Sequence, residues 1–323
     1  MKKFLKTYAL FISMLIGIIF HSLFVDISFV TKYFMEDPIK DITFLTKYML
    51  FVMLLIVYCK VSIRQIQFKK WHIYLGLFQF ISCLFIYFVL YNIDESLASG
   101  ALICLMAPTA TSAPVITALL GGNVAGLITY SITTNLLIAI MAPLFLALVG
   151  AHGVSGETLT FVHAFWVIAK KVFPLVLGPF VLSIILARFF PKVHLFLKEK
   201  QGISFWLWTI ALVLLMSRTT TDLLGMDVSH RKGAVAIAAI ALFTCLLQFF
   251  VGRYMGAKYH NKIASGQALG QKNTILAIWM AQTFFSPMVV VAPATYVLWQ
   301  NLVNSYQLSM RSRRLLKSEA HKE

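Results

Sequence analysis

Apolar residues come in ten long runs separated by short polar spacers, and the pattern predicts ten membrane-spanning helices. The runs cover roughly Tyr8–Phe24, Phe44–Val61, Trp71–Tyr91, Leu97–Leu120, Ala125–Val149, Phe161–Phe190, Ile203–Ser217, Ala234–Tyr254, Gly266–Phe285 and Met288–Met310. No spacer is long or polar enough to fold as a separate soluble domain. The first run follows a basic start but lacks a small-residue cleavage site, so it reads as a retained span.

The chain divides near Gly150–Thr160 into two five-span halves: residues 1–150, residues 151–310, and a basic tail, 311–323. Five is odd, so the second half enters the membrane from the opposite side. Two such halves form an inverted pair, a common plan among secondary transporters.

Composition narrows the class. Apolar residues make up 59% of the chain and charged residues 12%, with a mean hydropathy of +0.82. Soluble domains carry roughly 25% charged residues, so a soluble enzyme domain and a disordered chain are both excluded. The net charge of +16 does not point to nucleic acid. Nineteen of the 28 Lys and Arg fall on one side of the predicted stack, at the N-terminus, in alternate loops and in the tail. That bias places both termini in the cytoplasm of a cell (inner) membrane protein. The four cysteines, Cys59, Cys83, Cys104 and Cys245, sit in apolar runs and read as small buried hydrophobes. No phosphate loop, zinc spacing or intramembrane carboxylate pair is present, so neither an enzyme nor a cofactor is expected.

The fourth span of each half is interrupted. In the first, Pro108, Thr109, Thr111, Ser112 and Pro114 follow closely. Two prolines remove two backbone donors and clash with the preceding turns, giving either a kink or a full break. A break in lipid survives only where protein or a water-lined cavity satisfies the freed backbone. In the second half, Gly270, Gln271, Lys272, Asn273 and Thr274 interrupt an otherwise apolar span. A central lysine costs roughly 2.5–3.5 kcal/mol on insertion scales. Lys272 therefore either snorkels to the interface or serves a midplane site. Further candidates for solute or proton contact are His21 in span one, Thr134 and Asn135 on span five, and Arg218 near the end of span seven. Gln282, Gln300 and Asn301 read as helix-packing groups.

These residues resemble the bile acid:sodium symporter superfamily. The resemblance rests on Gly76-Leu77-Phe78-Gln79-Phe80, on Pro108 to Asn123 with the Gly122-Asn123-Val124-Ala125 turn, and on Leu269 to Ala277 followed by Phe285-Ser286-Pro287. It implies an all-α fold of ten helices in two inverted five-helix repeats. Spans 1, 2, 6 and 7 would form a panel; the others would form a core in which broken helices 4 and 9 cross. Solute would bind between panel and core. Typical members hold two sodium ions behind the crossing, at positions matched here by Gln79, Ala113, Leu127, Ser131, Ala268 and Lys272. The shared glutamate is Ala268 and a shared glutamine is Lys272, so sodium is disfavoured at these positions. A hard cation wants several oxygens, usually including a carboxylate. The ammonium of Lys272 could instead take the ion's place, carry protons, or meet an anionic solute.

The expected protein is thus a monomeric secondary transporter in the lipid bilayer for an organic anion or small amphipathic solute, proton-coupled or uncoupled, without a nucleic-acid partner. The alternatives are a sodium symporter with rebuilt ion sites and a non-transporting receptor or structural protein on the same scaffold.

Overall fold

The computed structural model describes residues 12–13, 15–19, 38–60, 68–149, 160–199, 201–225 and 228–319, and the regular elements among them are helices. In chain order they are α1 (Pro38–Lys60), α2 (Lys70–Tyr91), α3 (Glu95–Met106), α4 (Ala113–Leu119), α5 (Val124–Leu148), α6 (Phe161–Phe189) and α7 (Pro191–Glu199). Then follow α8 (Gln201–Leu224), α9 (Val228–Ala257), α10 (Lys262–Gly270), α11 (Thr274–Phe284), a 3₁₀ turn (Pro287–Val290) and α12 (Val291–Glu319). Five described stretches are long and apolar enough to cross a membrane: Lys70–Tyr91, Val124–Leu148, Phe161–Phe189, Gly202–Thr221 and Gly233–Ala257. The protein is a polytopic helical membrane protein.

Local chemistry sets the helix ends. Asp94 caps α3 by accepting from Leu97 N at 2.7 Å, Asn123 caps α5 through Gly126 N at 3.0 Å, and Asn273 caps α11 through Leu276 N at 3.3 Å. The α4–α5 turn passes through Gly121 at φ +73°, where a Cβ would also run into the Arg311 guanidinium. Two features differ from the sequence reading. The charged loop after α6 contains the nine-residue helix α7, none of whose side chains is buried. The last helix outruns the apolar run Met288–Met310, because α12 continues to Glu319.

Packing forms two groups. In one, α1 lies against α6, α7 and α8, and Gly17 in the short described stretch before it abuts Met216 and Val213 of α8. In the other, α9 packs on α10, α12 and α3, while α2 packs on α3. The contact of α5 with α6 joins the groups. The approach of α9 to α10 depends on Gly252 and Gly256, four residues apart. A Cβ at Gly252 would lie 2.5 Å from the Ser265 carbonyl oxygen, and one at Gly256 would collide with the Ser265 side chain. Small residues at this spacing let membrane helices meet at backbone distance. Gly256→Val should therefore separate α10 from α9 and destabilise the fold by about 3 kcal/mol, the upper end of overpacking costs. A lower melting temperature in detergent would register it; an unchanged one would refute the close-packing argument.

Candidate functional site

The chain between α3 and α4 and the chain between α10 and α11 are both non-helical, and they meet. Thr109 and Lys272 form an antiparallel β-bridge. Ala110 N donates to the Gln271 carbonyl at 2.8 Å, and Asn273 N donates to the Pro108 carbonyl at 2.8 Å. Each break thus supplies partners for the backbone groups that the other exposes, which is what a bilayer interior demands. The outward edges of the bridge are also satisfied. Thr109 N donates to Thr134 Oγ1 at 3.4 Å, Asn135 Nδ2 donates to the Thr109 carbonyl at 3.3 Å, and Lys272 N donates to Gln300 Oε1 at 2.8 Å. The Thr109 hydroxyl donates to the Ala268 carbonyl at 2.6 Å, and the Tyr296 hydroxyl to that of Gly270 at 2.8 Å.

The breaks are shorter than the motifs that announce them. Pro114 is not part of the gap: it occupies the first turn of α4, where its missing N–H costs nothing. Gly270 is the last residue of α10 and Thr274 the first of α11.

Lys272 is 1% exposed, so it does not snorkel. Its Nζ donates to the Leu105 carbonyl at 3.0 Å. Gln79 Nε2 lies at the same place, 3.1, 2.9 and 3.0 Å from the carbonyl oxygens of Leu105, Met106 and Ala107. The Tyr130 hydroxyl donates to Gln79 Oε1 at 3.2 Å. These carbonyls end half-helix α3, and Lys272 itself follows the end of half-helix α10. Both are negative ends of helix dipoles, where a cation is favoured. No acid occurs between Glu95 and Glu157 or between Asp227 and Glu319, the stretches that build the crossing. Among the described groups the partner of Lys272 Nζ is therefore a carbonyl oxygen at a helix C-terminus, not a carboxylate.

Ala113, Leu127 and Ala268 are each 0% exposed and share one apolar cluster with Trp71, Leu75, Tyr130, Ala264 and Leu269. Ser131 is buried nearby on α5, where its carbonyl accepts from Thr134 Oγ1 and Asn135 Nδ2.

A cavity of about 340 Å³ lies beside the crossing. One wall is Met53, Val57 and Lys60 of α1 with Ser204 and Trp208 of α8; the other includes Thr111, Ser112, Gln271, Asn273 and Thr274, with Gln300 and Asn301 of α12. Gln300 and Asn301, expected as packing groups, also line this cavity. Met53, Val57 and Trp208 carried no signal in the sequence, since a membrane helix is apolar on every face. Arg218 is not among the lining residues; it lies ten positions beyond Trp208, about 15 Å along α8. His21 lies outside the described residues.

Half-helices whose breaks pair inside a polytopic helical protein, beside a cavity between two packing groups, define a class of membrane transport scaffold. The chain matches the family model of the Sodium Bile acid symporter family over residues 47–225, more than half its length, and it belongs to that family. Comparison with curated proteins gives no match.

Proposed function

We propose that the protein is a secondary transporter working by alternating access, carrying an organic anion or small amphipathic solute without sodium at the family's usual positions. The observation that carries this reading is the cavity bounded by α1 and α8 on one side and the paired breaks on the other. Relative sliding of those two groups would close one mouth and open another, in the manner of inverted-repeat carriers. On this reading the two five-helix halves are inverted repeats. Residues 12–13 and 15–19, α1, α6 and α8 act as a panel against a core built from the rest. The N-terminus of α11, capped by Asn273, faces the cavity, and Lys60 lines it; both favour an anion. One cation position is filled by hydrocarbon and the other by the Lys272 ammonium, which argues for proton-coupled or uncoupled movement.

A cysteine at Thr111 tests the reading without knowledge of the solute. The four native cysteines are buried and give little background. A membrane-impermeant thiol reagent should modify Thr111→Cys in intact spheroplasts and also in inverted vesicles. Labelling from one side only would favour the receptor alternative. Sodium supplies a second test. A ligand bound to the native state raises its stability by mass action, so sodium should shift the melting temperature no more than potassium or choline does. A sodium-specific rise would favour rebuilt ion sites.

A further inference from the structure

Toward its end α12 carries Asn304, Gln307, Arg311 and Arg314, spaced three and four apart and so on one helix face. That face is held against α10: Gln267 Nε2 donates to Asn304 Oδ1 at 2.9 Å and to Gln307 Oε1 at 3.2 Å. Farther along it the Arg311 guanidinium rests against Gly121 in the α4–α5 turn. Arg253 arrives from α9, and its stem fills the space over Gly266 of α10. A Cβ at Gly266 would collide with Arg253 Cγ and lie 3.4 Å from Cδ. Arg253 is also close enough to Arg314 for the two charges to repel. Two glycines thus make room for two arginines, and a third stands beside them.

Like charges gathered by packing call for a counter-charge, and the described residues supply none. No acid occurs from Val228 to Ser318, nor between Glu95 and Glu157, the stretches that build this corner. None of the three guanidiniums has a hydrogen-bond or ion-pair partner among the described residues. Of the nitrogens on Arg253 and Arg311 only Arg311 Nη1 is enclosed, and Arg314 is exposed, so N–H groups of all three arginines can be reached. A guanidinium has donors alone and suits the paired oxygens of a phosphate.

Depth identifies where such a phosphate comes from. Arg253 lies within the apolar stretch Gly233–Ala257. Its neighbour Tyr254 is exposed and stacks on exposed Phe250 with ring centroids 6.3 Å apart, and Lys258 Nζ sits 5.8 Å from the Tyr254 ring. Aromatic rings with a lysine just beyond them mark the membrane–water interface, and basic pockets between spans at that level hold anionic headgroups. We propose that Arg253, Arg311 and Arg314 form a binding site for the phosphate of an anionic phospholipid, with its acyl chains running past Phe250 and Tyr254. None of the three arginines lines the cavity beside the crossing, and the site does not depend on the transport reading. Because α9, α10 and α12 pack in one group, the lipid anchors that group to the bilayer rather than the group of α1, α6 and α8.

The test titrates dioleoyl phosphatidylglycerol into the delipidated protein in an uncharged maltoside detergent and reads the melting temperature. A ligand of the native state raises it by mass action. The anionic lipid should raise it by several degrees. Dioleoyl phosphatidylcholine, with the same chains but no net charge, should not, and neither should inorganic phosphate. Arg253→Gln, Arg311→Gln and Arg314→Gln should each raise the half-saturating lipid concentration about fivefold, the share a basic residue contributes beside an anionic lipid. Lys192→Gln, on α7 where no side chain is buried, removes one charge elsewhere and should leave it unchanged. Gly266→Ala keeps every charge and displaces Arg253; it should weaken lipid binding as Arg253→Gln does, a second readout should an arginine variant fold poorly. No shift with phosphatidylglycerol, or an equal shift with phosphatidylcholine, would overturn the proposal. An equal shift with inorganic phosphate would make the site one for a soluble anion and overturn the lipid assignment. Equal weakening by Lys192→Gln would reduce the effect to diffuse surface charge and overturn it as well.

Discussion

Lys272→Met is expected to fold, to melt at or above the parent's temperature, and to lose two-sided access to a cysteine at Thr111. The stability half follows from electrostatics. The ammonium is fully buried, no acid lies in the stretches around it, and a lysine at membrane depth costs roughly 2.5–3.5 kcal/mol on insertion scales. Replacing a buried charged group with a well-packed apolar one is often neutral or stabilising by about 1–4 kcal/mol. The Leu105 carbonyl that loses Lys272 Nζ keeps Gln79 Nε2 at 3.1 Å, so no acceptor is orphaned. The functional half follows from position. The negative ends of α3 and α10 converge at the crossing, and a resident cation lets that arrangement persist while the two packing groups move. A group that costs stability yet sits at such a point is the kind that stability–activity trade-offs retain. Thermal melts of parent and variant, paired with labelling from each face, separate the outcomes. A marked fall in melting temperature would make Lys272 a structural strut. Unchanged labelling from both sides would end its assignment to the transport cycle.

The parts of this site visible in the sequence are those whose chemistry conflicts with a membrane span. Pro108, the hydroxyls after it, and the polar run from Gly270 to Thr274 stand out because lipid tolerates neither unpaired backbone nor polar side chains. Their pairing across 163 positions, Thr109 to Lys272, is invisible in a linear pattern, although an inverted repeat makes it a natural expectation. Pro114 shows the opposite limit. Read from sequence it marks the break, yet a proline in a helix's first turn and a proline that breaks a helix look alike until the turn is located. The wall formed by α1 and α8 was illegible for a different reason. Met53, Val57 and Trp208 face the cavity, but apolar residues on a lipid-exposed helix have no polar face against which to be phased. Gln300 reads in sequence as a helix-packing group and does join α12 to the crossing through Lys272 N, but which backbone group it accepts from needed the geometry.

The double variant Ala268→Glu, Lys272→Gln should gain a sodium-specific stabilisation that the parent lacks. It returns to the crossing the carboxylate and the amide that the family resemblance places there. Lys272→Gln removes the resident charge, and Gln79 and the carbonyls of Leu105, Met106 and Ala107 remain as oxygen-rich neighbours. A hard cation asks for such a set. Once sodium exceeds its dissociation constant a hundredfold, the native state should gain about 2.7 kcal/mol, a shift of several degrees in melting temperature. Against this stands the volume of a glutamate at a position with 0% exposure, which costs about 1–3 kcal/mol. In choline the double variant should therefore melt below the parent, and sodium should recover the difference. Ala268→Glu alone is the control: its carboxylate has Lys272 for a partner, so the site is already neutral and sodium should add nothing. Ala113 and Leu127 stay within their apolar cluster in both variants, so the gain should fit one ion, with a non-cooperative dependence on sodium concentration. A double variant that folds yet melts identically in sodium, potassium and choline would show that Ala268 and Lys272 do not occupy a vanished cation site, and the sodium-free reading would lose its physical basis.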